Sequence, residues 1–300
     1  MPRRLISFDW ALKRLLRSKA NFDVLEGFLS ELLKEDILIL EVLESDSNKQ
    51  QRDDKFNRVD LKVKNQQGEI VLIEVQYERE FDFLQRILFS TSKAITEHLH
   101  ESEVYSQVIK VISVNILYFD LGHGDDYIYH GSTQFIGLHR HDALQLSAKQ
   151  QSLFGKEYPH QLFPEYYLLK INQFDNIARD TLDEWVYFLK NEEIKDEFSA
   201  KGLKKAKQIL DILHLSDSER AAYEYHAEEL HYQASMYEST YVSGMLDGIK
   251  EGIEQGIAQG IAQGQLQEKQ ALALLMKQNG ESIEKIAQYT QLSMEDIKAL

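Results

Sequence analysis

Apolar residues in the first 120 positions recur at two spacings, one typical of helices and the other typical of strands. The helical spacing predicts helices over 8–16, 22–34 and 81–99. The predicted buried stripe of the third helix consists of Phe83, Leu84, Ile87, Leu88, Ala94, Ile95 and Leu99. Alternating or continuous apolar runs predict strands over 37–43, 58–64, 69–77 and 108–119. The last of these strands is apolar enough to be buried on both faces, and a polar stretch over 44–57 predicts a loop. This order of helices and strands predicts a compact α/β core.

The pattern changes beyond residue 120. A loop-rich stretch is followed by a predicted strand over 166–174, a predicted helix over 181–189 and helical spacing from about 192 onward. One long helix is predicted over 216–279, and two short helices around a tight turn, the outline of a helix-turn-helix, end the chain. These changes predict three parts: a domain over 1–195, a helical extension over 196–278 and a short tail over 279–300.

The composition narrows the class of protein and its compartment. The 300 residues are 43% hydrophobic and include no cysteine, which excludes disulfides, thiolate metal ligands and a cysteine nucleophile and fits a reducing cytosol. Asp9 and Lys13 interrupt the start of the chain where a secretory signal would be apolar, and no stretch reaches the roughly 18 apolar residues of a membrane span. We expect a cytoplasmic protein that does not enter a membrane.

The charge is unevenly distributed along the chain. A net charge of −15 argues against a protein that retains nucleic acid through general basicity. Residues 1–100, however, hold 16 basic and 18 acidic residues, a net of −2, whereas residues 101–300 hold 18 basic and 31 acidic residues, a net of −13. The first hundred residues therefore remain compatible with a nucleic-acid substrate.

Two carboxylates on neighbouring predicted strands form the strongest chemical signal. Alternation along the strand over 69–77 directs Val71, Ile73 and Val75 to one face and Glu74 and Gln76 to the other. Asp60 lies on the adjacent strand of a predicted hairpin. Carboxylates inside an apolar sheet are costly unless a cation or a partner neutralises them, and Mg²⁺ prefers oxygen ligands of this kind. Alternatively, Glu74 ends a strand at the surface and Asp60 pairs with Lys62 or Arg58.

The order of these motifs resembles that of a known nuclease group. The residues that carry the resemblance are, in chain order, Phe8-Asp9 with Lys13, Val59-Asp60, Ile73-Glu74-Val75-Gln76 and Arg86, followed by glycine-repeat helices and a short tail. Together they resemble the PD-(D/E)XK nuclease superfamily and, within it, the Rpn family of recombination-promoting nucleases, also described as PD-(D/E)XK nuclease family transposases. The resemblance implies a restriction-endonuclease-like α/β core, a mixed sheet flanked by helices, in residues 1–195, with an all-α C-terminal extension.

The resemblance also implies roles for individual residues. Asp60 and Glu74 are the expected Mg²⁺ ligands, with the Val75 carbonyl as a possible third. Gln76 stands where the superfamily consensus has lysine, and it lacks the positive charge that stabilises a phosphorane. We hypothesise that Lys62, two residues after Asp60 on the same strand face, supplies that charge; alternatively, Lys62 is a solvated or ion-paired strand residue.

Residues on the predicted helices extend this site. Asp9 is a candidate catalytic residue that faces the metal site; alternatively, it is an N-terminal helix charge favoured by the dipole. Arg86 is a candidate contact to a DNA phosphate, although a solvated arginine is common on an amphipathic helix. Lys13, Arg14 and Arg17 are candidate contacts to the DNA backbone.

Glycines recur every four residues from Gly244 to Gly264 in the predicted long helix. Each costs a helix roughly 1 kcal/mol relative to alanine, so we interpret this region as a marginal helix stabilised by pairing, most simply with itself; the alternative is a semi-flexible spacer. A zinc site at His139 and His141, or at His123 and His130, is disfavoured because no third spaced ligand or cysteine supports it.

The sequence thus favours a Mg²⁺-dependent DNA endonuclease, with Mn²⁺ as a possible substitute, that associates with itself through its C-terminal helices. The alternative is a catalytically weak, nuclease-derived DNA-binding or regulatory protein. The absence of a lysine at Gln76 and the acidic net charge leave room for that alternative.

Overall fold

A computed structural model describes residues 5–43, 60–99, 104–212 and 215–300. The predicted loop over 44–57 and the first two residues of the strand predicted over 58–64 lie outside the described residues. The chain divides into two compact units, Met1–Leu230 and His231–Leu300. The three-part division at 195 and 278 stays a prediction.

A six-stranded mixed sheet forms the centre of the first unit. Its strands are β1 (Ile39–Leu43), β2 (Leu61–Asn65), β3 (Ile70–Gln76), β4 (Val111–Leu117), β5 (Ile128–Gly131) and β6 (Glu165–Lys170), in the spatial order β1-β2-β3-β4-β6-β5. Strands β3, β4 and β6 run parallel to one another, whereas β1-β2, β2-β3 and β5-β6 are antiparallel. The β2-β3 connection turns at Gly68, whose φ of 79° favours glycine.

Helices cover the sheet and continue beyond it. The helices described in the first unit are α1 (Phe8–Arg14), α2 (Phe22–Leu33), α3 (Phe83–Glu97), α4 (Ala148–Phe154), α5 (Thr181–Asn191) and α6 (Leu203–Ile209). The long helix α7 (Asp217–Gln278) begins in this unit, and α8 (Ile283–Thr290) and α9 (Met294–Ala299) follow it. The Ser7 side chain accepts a hydrogen bond from the Trp10 backbone N–H and caps α1.

The two faces of β3 pack into different apolar clusters, as strand alternation predicts. Val71, Ile73 and Val75 join the main core, where the rings of Phe28 and Trp185 lie 5.5 Å apart. Ile70 and Leu72 pack on the opposite face with Ala94 of α3. β4 is buried along its whole length. Glu74 and Gln76 continue the second face, toward α3.

The stripe that α3 buries differs in part from the one predicted. Phe83, Ile87 and Ala94 are buried as expected, but Leu84 and Leu88 are exposed. Each exposed leucine follows a buried residue by one position, which is a rotation of about 100° around the helix. Small buried residues, Ser90 and Thr91, complete the contact with the sheet instead.

The edge strand β5 lies within a region for which the sequence predicted mainly loops. It has only four residues, too few for alternation to distinguish a strand from a loop, and it forms because β6 presents a free edge. β6 itself ends at Lys170, earlier than predicted, and a 3₁₀ turn follows.

The second unit is helical, as predicted. Ala273, Ile286 and Ile297 form a small apolar cluster between α7, α8 and α9. Ser282 and Ser293 cap α8 and α9. The isoleucines that follow the repeated glycines, Ile249, Ile253, Ile257 and Ile261, are exposed. In the described part of the chain, no helix has both the length and the apolar character needed to cross a membrane.

Candidate active site

Asp60 and Glu74 lie side by side at one end of the β2-β3 pair. Leu61 pairs with Ile73, which brings the preceding Asp60 beside Glu74 on the neighbouring strand. The backbone N–H of Val75 donates a 2.7 Å hydrogen bond to Oδ2 of Asp60. Only 15% of the Asp60 side chain and 5% of the Glu74 side chain are exposed. The hairpin therefore brings both predicted ligands together in a largely buried position.

Burial makes these two carboxyl groups difficult to ionise together. Burial raises the pKa of Glu74 from 4.5 to about 7; the cation Arg86 opposes this shift, whereas the neighbouring Asp60 and Glu80 add to it. Burial also raises the pKa of Asp60, against the lowering effect of Lys13 and of the Val75 N–H. The surroundings of both groups between β2 and β3 therefore favour their neutral forms.

Arg86 joins two carboxylates at the start of α3. Its guanidinium forms an ion pair with Glu74 and donates a 2.6 Å hydrogen bond to Oε1 of Glu80. The Gln76 amide donates to the same Glu80 oxygen at 3.1 Å and to the Glu78 carbonyl at 3.3 Å. Because these contacts direct the amide N–H groups of Gln76 toward Glu78 and Glu80, the amide oxygen is left as the group that can accept a hydrogen bond from water.

A second set of contacts reaches Asp60 from α1. The Nζ atom of Lys13 lies 2.7 Å from Oδ1 of Asp9 and 3.4 Å from Oδ1 of Asp60. His226 of α7 approaches the other Asp9 oxygen, with Nε2 3.1 Å from Oδ2. Burial alone would raise the pKa of Asp9, but its contacts with His226 and Lys13 outweigh burial and lower it. Asp9 is thus a charged group one contact away from Asp60.

The remaining predicted site residues lie around this centre. Arg17 donates a 2.6 Å hydrogen bond to the backbone carbonyl of Asp60, and Arg14 is exposed on α1. Lys62 lies on the same sheet face as Glu74, but its Nζ contacts Oε2 of Glu97, at the far end of α3, at 2.9 Å. Of the two lysines, Lys13 rather than Lys62 contacts Asp60. The catalytic and DNA-binding roles of all these residues stay predictions.

Two residues at the site were missed by sequence reasoning. Glu80 lies in the connection between β3 and α3, where no periodicity indicates which side chains turn inward. His226 lies far along the chain from Asp9, in a helix predicted to belong to a separate extension. Only the packing of α7 against α1 reveals that contact.

The donor set fits a divalent cation of the magnesium type. Carboxylate oxygens are the ligands that Mg²⁺ prefers, and Mg²⁺ commonly uses one or two carboxylates together with water and substrate phosphate. A cation between Asp60 and Glu74 would favour the ionised form of both groups and so oppose the effect of burial, which raises the pKa of each. Within the described ranges, no group of three or more His, Cys, Asp or Glu residues could hold a metal ion. The fit therefore rests on two carboxylates.

The histidines considered for zinc have other surroundings. His130 lies 3.1 Å from Oε2 of Glu165 and stacks on the ring of Tyr167 at 4.5 Å. Among the described residues, His123, His139 and His141 belong to no group of three or more His, Cys, Asp or Glu side chains that could hold a metal, and nothing in this part of the chain supports a zinc site.

The mixed six-stranded sheet, the flanking helices and the C-terminal helices define an α/β fold of the PD-(D/E)XK type. A family model described as "PD-(D/E)XK nuclease family transposase" matches residues 6–240, and the chain therefore belongs to that family. Comparisons with curated proteins and with solved structures find no match. Family membership confirms the resemblance inferred from the sequence and supports a nuclease-like or transposase-related function.

Proposed function

We propose that the chain is a divalent-metal-dependent DNA endonuclease that hydrolyses phosphodiester bonds, with Mg²⁺ as its cofactor and Mn²⁺ as a substitute. The observation that carries the proposal is the pairing of two buried carboxylates, Asp60 and Glu74, on adjacent strands in a chain of this family. Burial of two acids that repel each other destabilises the fold. A role in metal-assisted hydrolysis explains why the two acids are nevertheless buried together.

Asp60 and Glu74 would hold the metal, with the Val75 carbonyl as a further candidate ligand. The chemistry that a bound Mg²⁺ supplies is polarisation of the phosphodiester and activation of a water. Gln76 accepts a hydrogen bond from the attacking water through its amide oxygen, because Glu78 and Glu80 engage its N–H groups. Arg86 pairs with Glu74, and its guanidinium would be able to contact a phosphate of the substrate if Glu74 held a metal instead.

A cation must compensate for the missing positive charge at Gln76. Lys13 supports this role because its ammonium group lies 3.4 Å from Asp60 and its side chain is 42% exposed, within reach of substrate. Lys62 remains the other candidate, although it would have to leave Glu97 first. Arg14 and Arg17 provide further positive charge for the DNA backbone beside this site.

The alternative function is that of a nuclease-derived DNA-binding or regulatory protein. Two observations favour it: glutamine replaces the consensus lysine at position 76, and Arg86 already forms an ion pair with Glu74. A protein of this kind would bind DNA but not cut it.

We also propose that the C-terminal helices associate two or more copies of the chain. The four isoleucines of the glycine repeat expose an apolar stripe, and residues 255–267 carry no charge in an otherwise acidic chain. Two copies can therefore approach there without like-charge repulsion. A chain ending near Thr240 should contain fewer copies per particle than the full chain, as measured by light scattering, and an unchanged oligomeric state would refute this association.

Nicking of supercoiled plasmid DNA tests the proposed enzyme. Wild-type protein, Asp60→Ala and Glu165→Gln would be incubated with Mg²⁺, Mn²⁺ or EDTA. Glu165 is a matched control because it is a sheet carboxylate paired with Lys110, outside the candidate site. We expect metal-dependent nicking by wild type and Glu165→Gln but not by Asp60→Ala. Equal nicking by Asp60→Ala would refute the site, and DNA binding without nicking would favour the alternative.

A further inference from the structure

His226 connects the long helix α7 to the candidate active site. Three contacts lead from it to the predicted metal ligand: His226 to Asp9 at 3.1 Å, Asp9 to Lys13 at 2.7 Å, and Lys13 to Asp60 at 3.4 Å. Asp9 is central to this series because its two oxygens have different partners, Oδ1 facing Lys13 and Oδ2 facing His226.

The first turns of α7 are held firmly against α1. The side chain of Tyr223 is buried, its ring packs edge-on against Trp10 at 5.7 Å, and its hydroxyl accepts a 3.3 Å hydrogen bond from the Ser7 N–H. Ser7 is the N-cap of α1, so Tyr223 contacts α1 at its first turn, one turn of α7 before His226. The position of His226 beside Asp9 therefore follows from buried packing rather than from a flexible surface contact.

Asp9 has two partners for a physical reason. Its side chain is 1% exposed, and a carboxylate at that depth requires compensation by neighbouring cations or hydrogen-bond donors. Lys13 is a long, flexible side chain shared between two acids, and it is closer to Asp9 than to Asp60. Without His226, Lys13 would be the only partner at Asp9 that these contacts provide, and it would be drawn away from Asp60.

We propose that His226 is a positioning residue of the nuclease site: it shares the charge of Asp9 and thereby leaves Lys13 able to serve Asp60 and the substrate phosphate. This inference rests on the proposed function. It also means that the first turns of α7 belong functionally to the nuclease unit, beyond the boundary predicted at residue 195.

The kinetic test compares His226→Leu with His226→Gln, which retains a side-chain N–H donor. We expect His226→Leu to lower kcat for plasmid nicking by about 10-fold to 100-fold, the range typical of a displaced catalytic group, with little change in KM. His226→Gln should recover most of the loss. His130→Leu is the matched control, since it removes a histidine paired with Glu165 elsewhere on the sheet, and it should keep wild-type kcat.

A double-variant comparison separates positioning from general structural damage. In a Lys13→Met background, His226→Leu should cause little further loss of kcat, because its effect passes through Lys13. An equal fold-loss in both backgrounds, or full activity of His226→Leu, would overturn the proposal. Melting temperatures would identify any variant that fails to fold, in which case His226→Ala, which also removes the side-chain donor, provides the same comparison in the two backgrounds.

A stability measurement distinguishes this inference from the proposed function. Urea unfolding of His226→Leu, Asp9→Asn and the double variant measures the coupling between the two side chains without any DNA. If wild-type protein does not nick DNA with Mg²⁺ or Mn²⁺, the proposed function is refuted and the positioning role falls with it. If wild type nicks DNA, additive effects of the two substitutions on stability would overturn the inference alone, whereas a clear coupling would support the contact between His226 and Asp9 on which it rests.

Discussion

Replacement of Glu74 by glutamine should abolish metal-dependent cleavage and, in the absence of metal, stabilise the fold. Burial raises the pKa of Glu74 from 4.5 to about 7. One pKa unit corresponds to about 1.4 kcal/mol, so ionising Glu74 in the folded protein costs about 3 kcal/mol more than ionising it in the unfolded chain. Glutamine has the shape of the neutral acid and avoids this cost.

The sign of the pH dependence follows from proton binding. Between pH 4.5 and about 7, the folded state keeps the Glu74 proton while the unfolded state loses it, so the contribution of Glu74 to stability falls as pH rises. The contribution is most favourable below pH 4.5 and is lost above about pH 7. The difference between Glu74→Gln and wild type should therefore be near zero at pH 4.5 and reach about 3 kcal/mol at pH 8.

Tryptophan fluorescence during urea unfolding measures this difference. Both tryptophans of the chain, Trp10 and Trp185, are buried in the first unit, so the signal reports the unit that contains the site. The measurements are made in EDTA and repeated in excess Mg²⁺. A ligand that binds only the folded state raises its stability, and Mg²⁺ should stabilise wild type more than Glu74→Gln.

Glu165→Gln, on the same sheet, is a control whose expected effect on stability is opposite in sign to that of Glu74→Gln. Burial favours the neutral form of Glu165, but its contacts with Lys110 and His130 outweigh burial and lower its pKa. Glu165→Gln should therefore destabilise the protein at neutral pH, and its effect should fade as pH falls through the lowered pKa. If Glu74→Gln is no more stable than wild type at pH 8, or if both variants change stability in the same direction, the reasoning about the buried site is refuted.

Two further substitutions test the packing and the source of positive charge. Gly27→Ala should destabilise the first unit by about 1–3 kcal/mol, since an added Cβ would lie 2.3 Å from the Lys201 carbonyl oxygen. An unchanged midpoint of urea unfolding would contradict the close approach of α2 to the backbone at Lys201. Lys13→Ala should reduce Mg²⁺-dependent nicking more than Lys62→Ala, because Lys13 contacts Asp60 whereas Lys62 contacts Glu97. If Lys62→Ala leaves cleavage unchanged, the role hypothesised for Lys62 is wrong.

Local patterns predicted most of the elements because each pattern reflects local geometry. Alternation along 69–77 assigned Val71 and Glu74 to opposite sheet faces correctly, since successive strand side chains point to opposite sides. The edge strand β5 was missed because four residues carry too little periodicity and pair only where β6 offers an edge. The prediction that Leu84 and Leu88 are buried was wrong. The spacing of apolar residues does not indicate how far α3 is rotated about its axis against the sheet.

The sequence by itself determined the family, the two carboxylates and the hairpin that joins them, because Asp60 and Glu74 are close along the chain and a short turn sets their register. Only the tertiary structure decided which cations contact them and which group contacts the neighbouring Asp9. Lys13 and Arg86 contact the two carboxylates and His226 contacts Asp9, and the three come from three helices whose packing depends on the whole core. Contacts between distant segments leave no periodic signal in the chain, since they depend on how the helices dock rather than on local backbone geometry.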